Sequence, residues 1–97
     1  MHEYHKIKSE IVGILQPHGF DEVVADQELD YCGSVHCIYA KDEKRFMIEW
    51  DGEEGFGAIE SWSNESWSML KTIVPESTEA EFSKNLGALC EELKTYL

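Results

Sequence analysis

Apolar residues recur with the period of an α-helix near the start of the chain. Tyr4, Ile7, Ile11 and Leu15 are three or four positions apart, with polar residues between them. This spacing predicts an amphipathic helix from Tyr4 to about Gln16. The helix should end there because Pro17 disfavours helical angles in the residue before it, and the following Gly19 can close the end.

The same period returns near the end of the chain. Five apolar residues would mark one helical face: Phe82, Leu86, Leu89, Leu93 and Leu97. Thr78 and Glu81 have the spacing of a capping box, in which each side chain satisfies a backbone amide at the helix start. We therefore predict a second helix over 78–96.

Between the helices, apolar and polar residues alternate as they do in β-strands. The pattern predicts a short strand at 22–25 and three antiparallel strands near 34–40, 45–51 and 56–62, joined by polar turns at KDEK and GEEG. The segment 63–75 is ambiguous, because Trp67, Leu70 and Ile73 suit a short helix while Ile73 and Val74 also suit a strand. We interpret it as a short helical turn.

These elements predict one α+β domain spanning 1–97. Its antiparallel four-stranded meander would carry the N- and C-terminal helices on a single face, because each helix has one apolar stripe to bury. If the two turns are centred on Asp42–Glu43 and 53–54, Ala40 pairs with Arg45 and Asp51 with Phe56.

That register divides the strand residues between two faces, because successive side chains point to opposite sides. The predicted core face carries Val35, Cys37, Tyr39, Phe46, Ile48, Trp50, Gly57 and Ile59. The opposite face carries Ser34, His36, Ile38, Met47, Glu49, Asp51, Phe56, Ala58, Glu60 and Trp62. Aromatic side chains and carboxylates would thus share a surface turned to water.

Charge limits the partners that such a surface can have. The chain has 20 acidic residues against 8 Lys and Arg, a net charge of −12, and neither base occurs between Lys8 and Lys41 or between Arg45 and Lys71. Anionic nucleic acids and membranes recruit clusters of Lys and Arg, so we expect neither as a ligand. No long apolar run and no signal-peptide pattern occurs, which favours a cytoplasmic protein.

The sequence predicts neither a catalytic site nor a metal site. His36 could lie beside Glu49 across a strand pair, but no nucleophile accompanies them. His2 with His5, or Cys32 with His36 and Cys37, lacks the four ligands of a zinc site. An odd number of cysteines favours reduced thiols, with Cys37 and Cys90 facing the core. We expect no cofactor and no enzymatic activity.

The remaining interpretation is a protein-binding module whose partner is basic. Aromatic groups rimmed by carboxylates are typical of interfaces, and opposite fields speed encounter. The predicted contact residues are Glu49, Asp51, Glu53, Glu54, Phe56, Glu60 and Trp62. Two simpler explanations stay open: the acidity serves solubility, or the segment 63–75 covers Phe56, Trp62 and Trp67 as a second small core.

The segment FMIEWDGEEGFGAIESW, the acidity and the plan of helix, strand meander and helix resemble small bacterial immunity proteins of contact-dependent inhibition and related polymorphic toxin systems. The resemblance implies a cytoplasmic protein that neutralises a toxin domain by tight binding, either over the toxin's active site or beside it. Apart from the resemblance, we expect a monomer. The acidity suggests a basic nuclease as that toxin.

Two other functions remain open. Acidic chaperones of type III secretion are also small αβ proteins without enzymatic activity, and they bind unfolded effector segments, often as dimers. A small hydrolase or transferase using His36 and Glu49 is the third alternative.

Overall fold

The computed structural model describes residues 3–28, 31–74 and 78–97. Its elements in chain order are α1 (Glu3–Leu15), a 3-10 turn (Gln16–His18), β1 (Asp21–Glu28), β2 (Val35–Lys41), β3 (Lys44–Asp51), β4 (Phe56–Ser63), β5 (Ser66–Ile73) and α2 (Glu79–Lys94). The α+β class and a helix near each end are confirmed.

Both helices begin and end where their local chemistry dictates. After α1, the backbone tightens into the 3-10 turn that contains Pro17, and Gly19 adopts φ 91°, the left-handed conformation that closes helices. Thr78 caps α2, its Oγ1 accepting a hydrogen bond from the amide of Glu81 at 3.2 Å. The second helix is therefore as predicted at its start and ends two residues before the predicted 96.

The sheet has five strands, ordered β1-β2-β3-β4-β5, and every adjacent pair is antiparallel. The predicted register is confirmed: Ala40 pairs with Arg45, and Asp51 pairs with Phe56. The prediction of four strands is wrong, because the expected helical turn within 63–75 is the fifth strand. Residues 75–77 lie outside the described residues.

Two local features explain why β5 resembled a helix. A register shift opposite Ile59 and Glu60 inserts an extra residue, Leu70, so that Leu70 and Ile73 both reach the core at a spacing of three. The turn before the strand consists of Asn64 and Glu65, which have φ values of 52° and 63°. Two positive φ angles form a type I′ hairpin turn, which usually carries Gly at its second position.

Both helices pack on one face of the sheet, which we call the inner face. Buried residues of α1 and α2 form one core with every residue of the predicted core face except Gly57, and Val35 joins it as a partly buried neighbour. Gly57 is itself buried on that face, where an added Cβ would lie 2.6 Å from Cδ1 of Ile7. Cys37 and Cys90 are buried as predicted, and Cys32 is exposed.

Strand β1 is longer than the predicted 22–25 and forms one edge of the sheet. Its pairing with β2 shifts register twice, between Glu22 and Val24 and again between Val24 and Gln27. Strand β5 forms the other edge and carries the shift at Leu70. No helix among the described residues is both long and apolar enough to cross a membrane.

Candidate functional site

The sheet surface opposite the helices is the candidate site, and we call it the outer face. It comprises the strand residues predicted to share that surface, to which the structure adds Val24, Gln27, Trp67, Met69 and Thr72 from the two edge strands. Ser34, also predicted there, precedes β2 and is buried. Of the seven predicted contact residues, five lie on it: Glu49, Asp51, Phe56, Glu60 and Trp62. The other two, Glu53 and Glu54, lie in the β3–β4 turn at its border.

The middle of the outer face is less exposed than the sequence suggests. Ala58 is fully buried and Met47 is 9% exposed, although neither belongs to the core under the helices. Ala58 has Glu49 and Thr72 as its cross-strand neighbours, whose longer side chains can cover its methyl group. The expectation of a water-facing surface is therefore wrong at its centre, only partly met at the half-buried Asp51 and Phe56, and confirmed at Trp62.

Glu49 and Glu60 form a carboxyl pair on this face. Met47 pairs with Glu60, and Glu49 pairs with Ala58, which places the two glutamates diagonally across β3 and β4. Both side chains are half-buried. Burial, a hydrogen bond with Glu60 and the nearby charges of Glu60 and Asp51 together raise the pKa of Glu49 to about 7.

Asp51 has a structural role in the β3–β4 turn. Its Oδ1 accepts hydrogen bonds from the backbone amides of Glu53 and Glu54 at 3.0 and 2.9 Å, and its carbonyl accepts one from Gly55 at 2.7 Å. Asp side chains commonly organise turns in this way. The arrangement leaves both turn glutamates exposed at the end of the outer face, so their charges border it.

Aromatic residues occupy the other half of the face. Trp62 pairs with Trp67 across β4 and β5, and their rings meet edge to face with centroids 5.3 Å apart. Trp62 is 36% exposed, and the adjacent Met69 is 51% exposed. The alternative that the segment 63–75 covers these aromatics is wrong, because 66–73 lies beside β4 as a strand.

The outer-face carboxylates have no basic partner within the described residues. Among the described residues, ion pairs join Lys6 to Glu79, Lys8 to Glu22 and Asp26, and Lys94 to Glu91. None involves Glu49, Asp51 or Glu60. By strand register Arg45 shares the outer face, but it lies at the opposite end of β3 from Asp51.

His36 and Glu49 are direct cross-strand partners, as predicted. The hydrogen bond that raises the pKa of Glu49 nevertheless comes from Glu60, on the other neighbouring strand. Cys32 and Cys37, the other candidate ligands near His36, differ in position: Cys32 precedes β2 and is exposed, whereas Cys37 is buried on the inner face. His2 lies outside the described residues.

The structure also contains a polar cluster that the sequence did not indicate. On the inner side of the sheet, the ammonium group of Lys8 donates hydrogen bonds to Glu22 at 2.8 Å and to Asp26 at 2.7 Å. The hydroxyl of Tyr4 donates to the same Asp26 oxygen at 2.7 Å. Lys8 follows Tyr4 by one helical turn, so helical spacing could have placed these two groups together, but the irregular register of β1 hides Asp26.

The same cluster contains a set of atoms that could in principle bind a metal ion. Ligand atoms of Glu22, Asp26 and Cys37 lie within 4.8 Å of one another. Burial raises the pKa of Asp26, but hydrogen bonds from Lys8 and Tyr4 outweigh burial and hold it below its ordinary value, while burial raises that of the Cys37 thiol. Lys8 thus supplies the positive charge that these two carboxylates need.

The chain was compared with family models, curated proteins and solved structures. No family model, no curated protein and no solved structure matches this chain.

Proposed function

We propose that the protein binds a basic protein partner on its outer face, and that it acts as an immunity protein neutralising a toxin domain. The observation that carries the proposal is the composition of this face. Carboxylates without basic partners share this face with the Trp62–Trp67 pair, in which Trp62 is exposed and Trp67 half-buried, on the side of the sheet that the helices leave uncovered. With a net charge of −12, the chain favours a cationic partner.

The two parts of the face would act at different stages of binding. Exposed carboxylates at Glu53 and Glu54, with the half-buried Asp51 beside them, attract a basic surface and raise the association rate. Trp62 and Trp67 supply apolar area that water leaves on contact, which slows dissociation. A nuclease is the most economical partner, because its phosphate-binding surface is basic and the carboxylates would occupy the positions of phosphates.

The test begins with affinity capture from source-cell lysate at low and high salt, followed by binding kinetics with the purified partner. Glu54→Lys should slow association, and Trp62→Ala should mainly speed dissociation. Glu43→Lys is the matched control, since Glu43 is also an exposed turn residue but lies at the opposite end of β3. Co-expression should show that the wild-type protein suppresses the toxicity of the captured domain.

The proposal fails if the outer-face variants bind as the wild type does while substitutions on exposed positions of α2 abolish binding. Capture of an unfolded effector segment, or of a second copy of the chain, would favour the secretion-chaperone function instead. A basic domain whose toxicity is unchanged by co-expression would reject the immunity function and retain the binding face.

Enzymatic use of His36 and Glu49 is the other candidate, and their cross-strand pairing favours it. A cavity of about 610 Å³ opens near Phe20, Lys41 and Lys44, and neither His36 nor Glu49 lines it. A substrate screen with wild-type and His36→Ala protein tests this candidate. Turnover that depends on His36 would establish an enzyme, and its absence leaves the binding function.

A further inference from the structure

We propose that the protein binds a small organic acid, a carboxylate with an apolar body, in the cavity of about 610 Å³ beside the β2–β3 turn. Small-molecule sites commonly have volumes of about 300–1,000 Å³, apolar lining residues and a few polar groups. The cavity lies at the opposite end of β3 from Asp51, so the proposal goes beyond the outer-face function and does not depend on it.

Two apolar residues line this cavity and offer contact to the body of a ligand. Phe20 is buried, with its ring centroid 5.4 Å from that of Phe46, and Leu97 is half-buried against the core. His18, between α1 and β1, also lines the cavity. Its Nδ1 donates to the carbonyl of Ile14 at 2.9 Å, because a carbonyl oxygen only accepts. A carbon body packed against Phe20 and Leu97 would remove their remaining exposed area from water.

Two lysines line the cavity from opposite strands. Lys41 and Lys44 are direct cross-strand partners, and the alternation of β2 and β3 places both on the inner side of the sheet. Like charges in this relation destabilise a strand pair. Among the described residues neither lysine forms an ion pair, and Lys41 donates to the carbonyl of His18 at 2.7 Å. A bound anion would relieve the repulsion and accept charge-assisted hydrogen bonds.

The distribution of bases along the chain supports an anion site here. Between Lys8 and Lys71, every Lys or Arg lies within five consecutive residues: Lys41, Lys44 and Arg45. The bases of β1 to β4 are therefore all at the β2–β3 turn, and two of them line the cavity. In a chain with a net charge of −12, this turn is where a small anion is least repelled.

The lining residues favour a single negative charge over the two of a phosphate. Asp42 and Glu43, the exposed residues of the turn, also line the cavity, and their carboxylates weaken the positive field of the two lysines. The attraction to this weakened field rises in proportion to the charge of the ligand, whereas the cost of removing water rises with the square of that charge. A monocarboxylate is therefore the anion that fits.

The test uses hydrocinnamate as the probe, hydrocinnamyl alcohol as its uncharged counterpart and phenyl phosphate as the dianion. In ¹H–¹⁵N NMR titrations near pH 8, low-millimolar hydrocinnamate should shift the amides of Phe20, Asp42 and Leu97 and leave the indole signal of Trp62 unchanged. It should bind about tenfold more tightly than the alcohol, as expected for a charge-assisted hydrogen bond. Equal affinity for acid and alcohol, tighter binding of phenyl phosphate, or no shift at these amides would each overturn the proposal.

Lys44→Met removes the ammonium charge and keeps an aliphatic side chain. This variant should weaken hydrocinnamate binding by about five- to tenfold and leave binding of the alcohol unchanged. Lys71→Met is the matched control, since it removes the same charge from an exposed position on β5. Glu43→Gln should act in the opposite direction and tighten hydrocinnamate binding by about twofold, because it removes a negative charge from the lining of the cavity.

The substituted positions Lys44, Lys71 and Glu43 are exposed, so the variants should fold, and the amide spectrum of each free variant checks this. Equal weakening by Lys44→Met and Lys71→Met would mean that the probe responds to overall charge, which would overturn the site. Binding that Lys44→Met leaves unchanged would overturn it as well. Weakening by Lys44→Met alone, with tightening by Glu43→Gln, would establish an anion site in this cavity.

Discussion

Trp62 and Trp67 meet edge to face across the β4–β5 pair, at an interplanar angle of 64°. Such pairs contribute about 0.5–1.5 kcal/mol beyond the area they bury. We expect Trp62→Ala, Trp67→Ala and the double variant to show a coupling free energy of that size in urea unfolding. Strictly additive effects would mean that the rings only share a surface and do not stabilise the edge of the sheet.

Replacing Glu49 by Gln should stabilise the protein above neutral pH. A carboxyl whose pKa is raised in the folded state, here to about 7, favours folding fully below its unfolded pKa of 4.5 and loses that contribution as pH rises to 7. The gain of Glu49→Gln over wild type should therefore be close to zero at pH 4 and reach about 1–3 kcal/mol at pH 8. Urea unfolding at the two pH values measures it.

Glu53→Gln makes the same chemical change at an exposed turn position and serves as the control. Its effect on the free energy of unfolding should be within about 0.5 kcal/mol at both pH values. An equal gain from both substitutions at pH 8 would indicate that the relief comes from overall net charge, not from the pair.

Removal of the Lys8 ammonium group should destabilise the protein near neutral pH. Lys8→Met leaves Asp26 without its ion pair, and we expect a loss of about 1 kcal/mol, because the Asp26 side chain is 39% exposed and solvent screens the interaction. The depressed pKa of Asp26 means that this contribution is present above 3.8 and disappears as pH falls through the folded value.

The difference between wild type and Lys8→Met should accordingly narrow below pH 4. Lys94→Met is the matched control, since it removes an exposed pair with Glu91 three residues away on α2. That control should cost at most about 0.5 kcal/mol. If both substitutions cost the same, the polar cluster beside β1 is no more than a surface ion pair.

Two glycines should respond in opposite directions to the same substitution. At Gly52 an added Cβ would overlap the backbone carbonyl of Cys32, and the Gly52 amide also donates to Ser34 Oγ at 2.8 Å. Gly52→Ala should therefore cost about 2 kcal/mol or more. Gly87, inside α2, has open space around it, so Gly87→Ala should stabilise by about 0.5–1 kcal/mol. Thermal unfolding of both variants checks this.

The central hairpins were predictable because their turns are chemically explicit. In KDEK, Asp42 takes a positive φ of 55°, and in GEEG, Gly55 takes 77°, both conformations that these residue types tolerate. Once the two turns are placed, the period of two assigns every side chain of β2, β3 and β4 to a face. The candidate contact residues came from that assignment, and the structure places them accordingly.

The edge strands β1 and β5 were harder to predict because their turns and their pairing with the neighbouring strands are irregular. At Glu65 a left-handed conformation usually assigned to Gly is occupied by a longer residue, and Leu70 disrupts the alternation of β5. The pairing of β1 with β2 shifts register twice, so the position of Asp26 cannot be obtained by counting residues from a turn. Glu49 and Glu60 were predicted to share a face. Their hydrogen bond depends on a diagonal contact between two strands, and the alternation of side chains does not show which diagonal neighbours touch.

Strand order along the sheet is identical to strand order along the chain. Each strand therefore finds its partner across a turn or short connection, so closing each pair costs little loop entropy. The contact of longest sequence separation is that between the helices, where Lys6 of α1 lies 5.9 Å from the ring of Phe82 in α2. We expect the sheet to assemble hairpin by hairpin, with docking of α2 onto α1 as the step that joins the two ends of the chain.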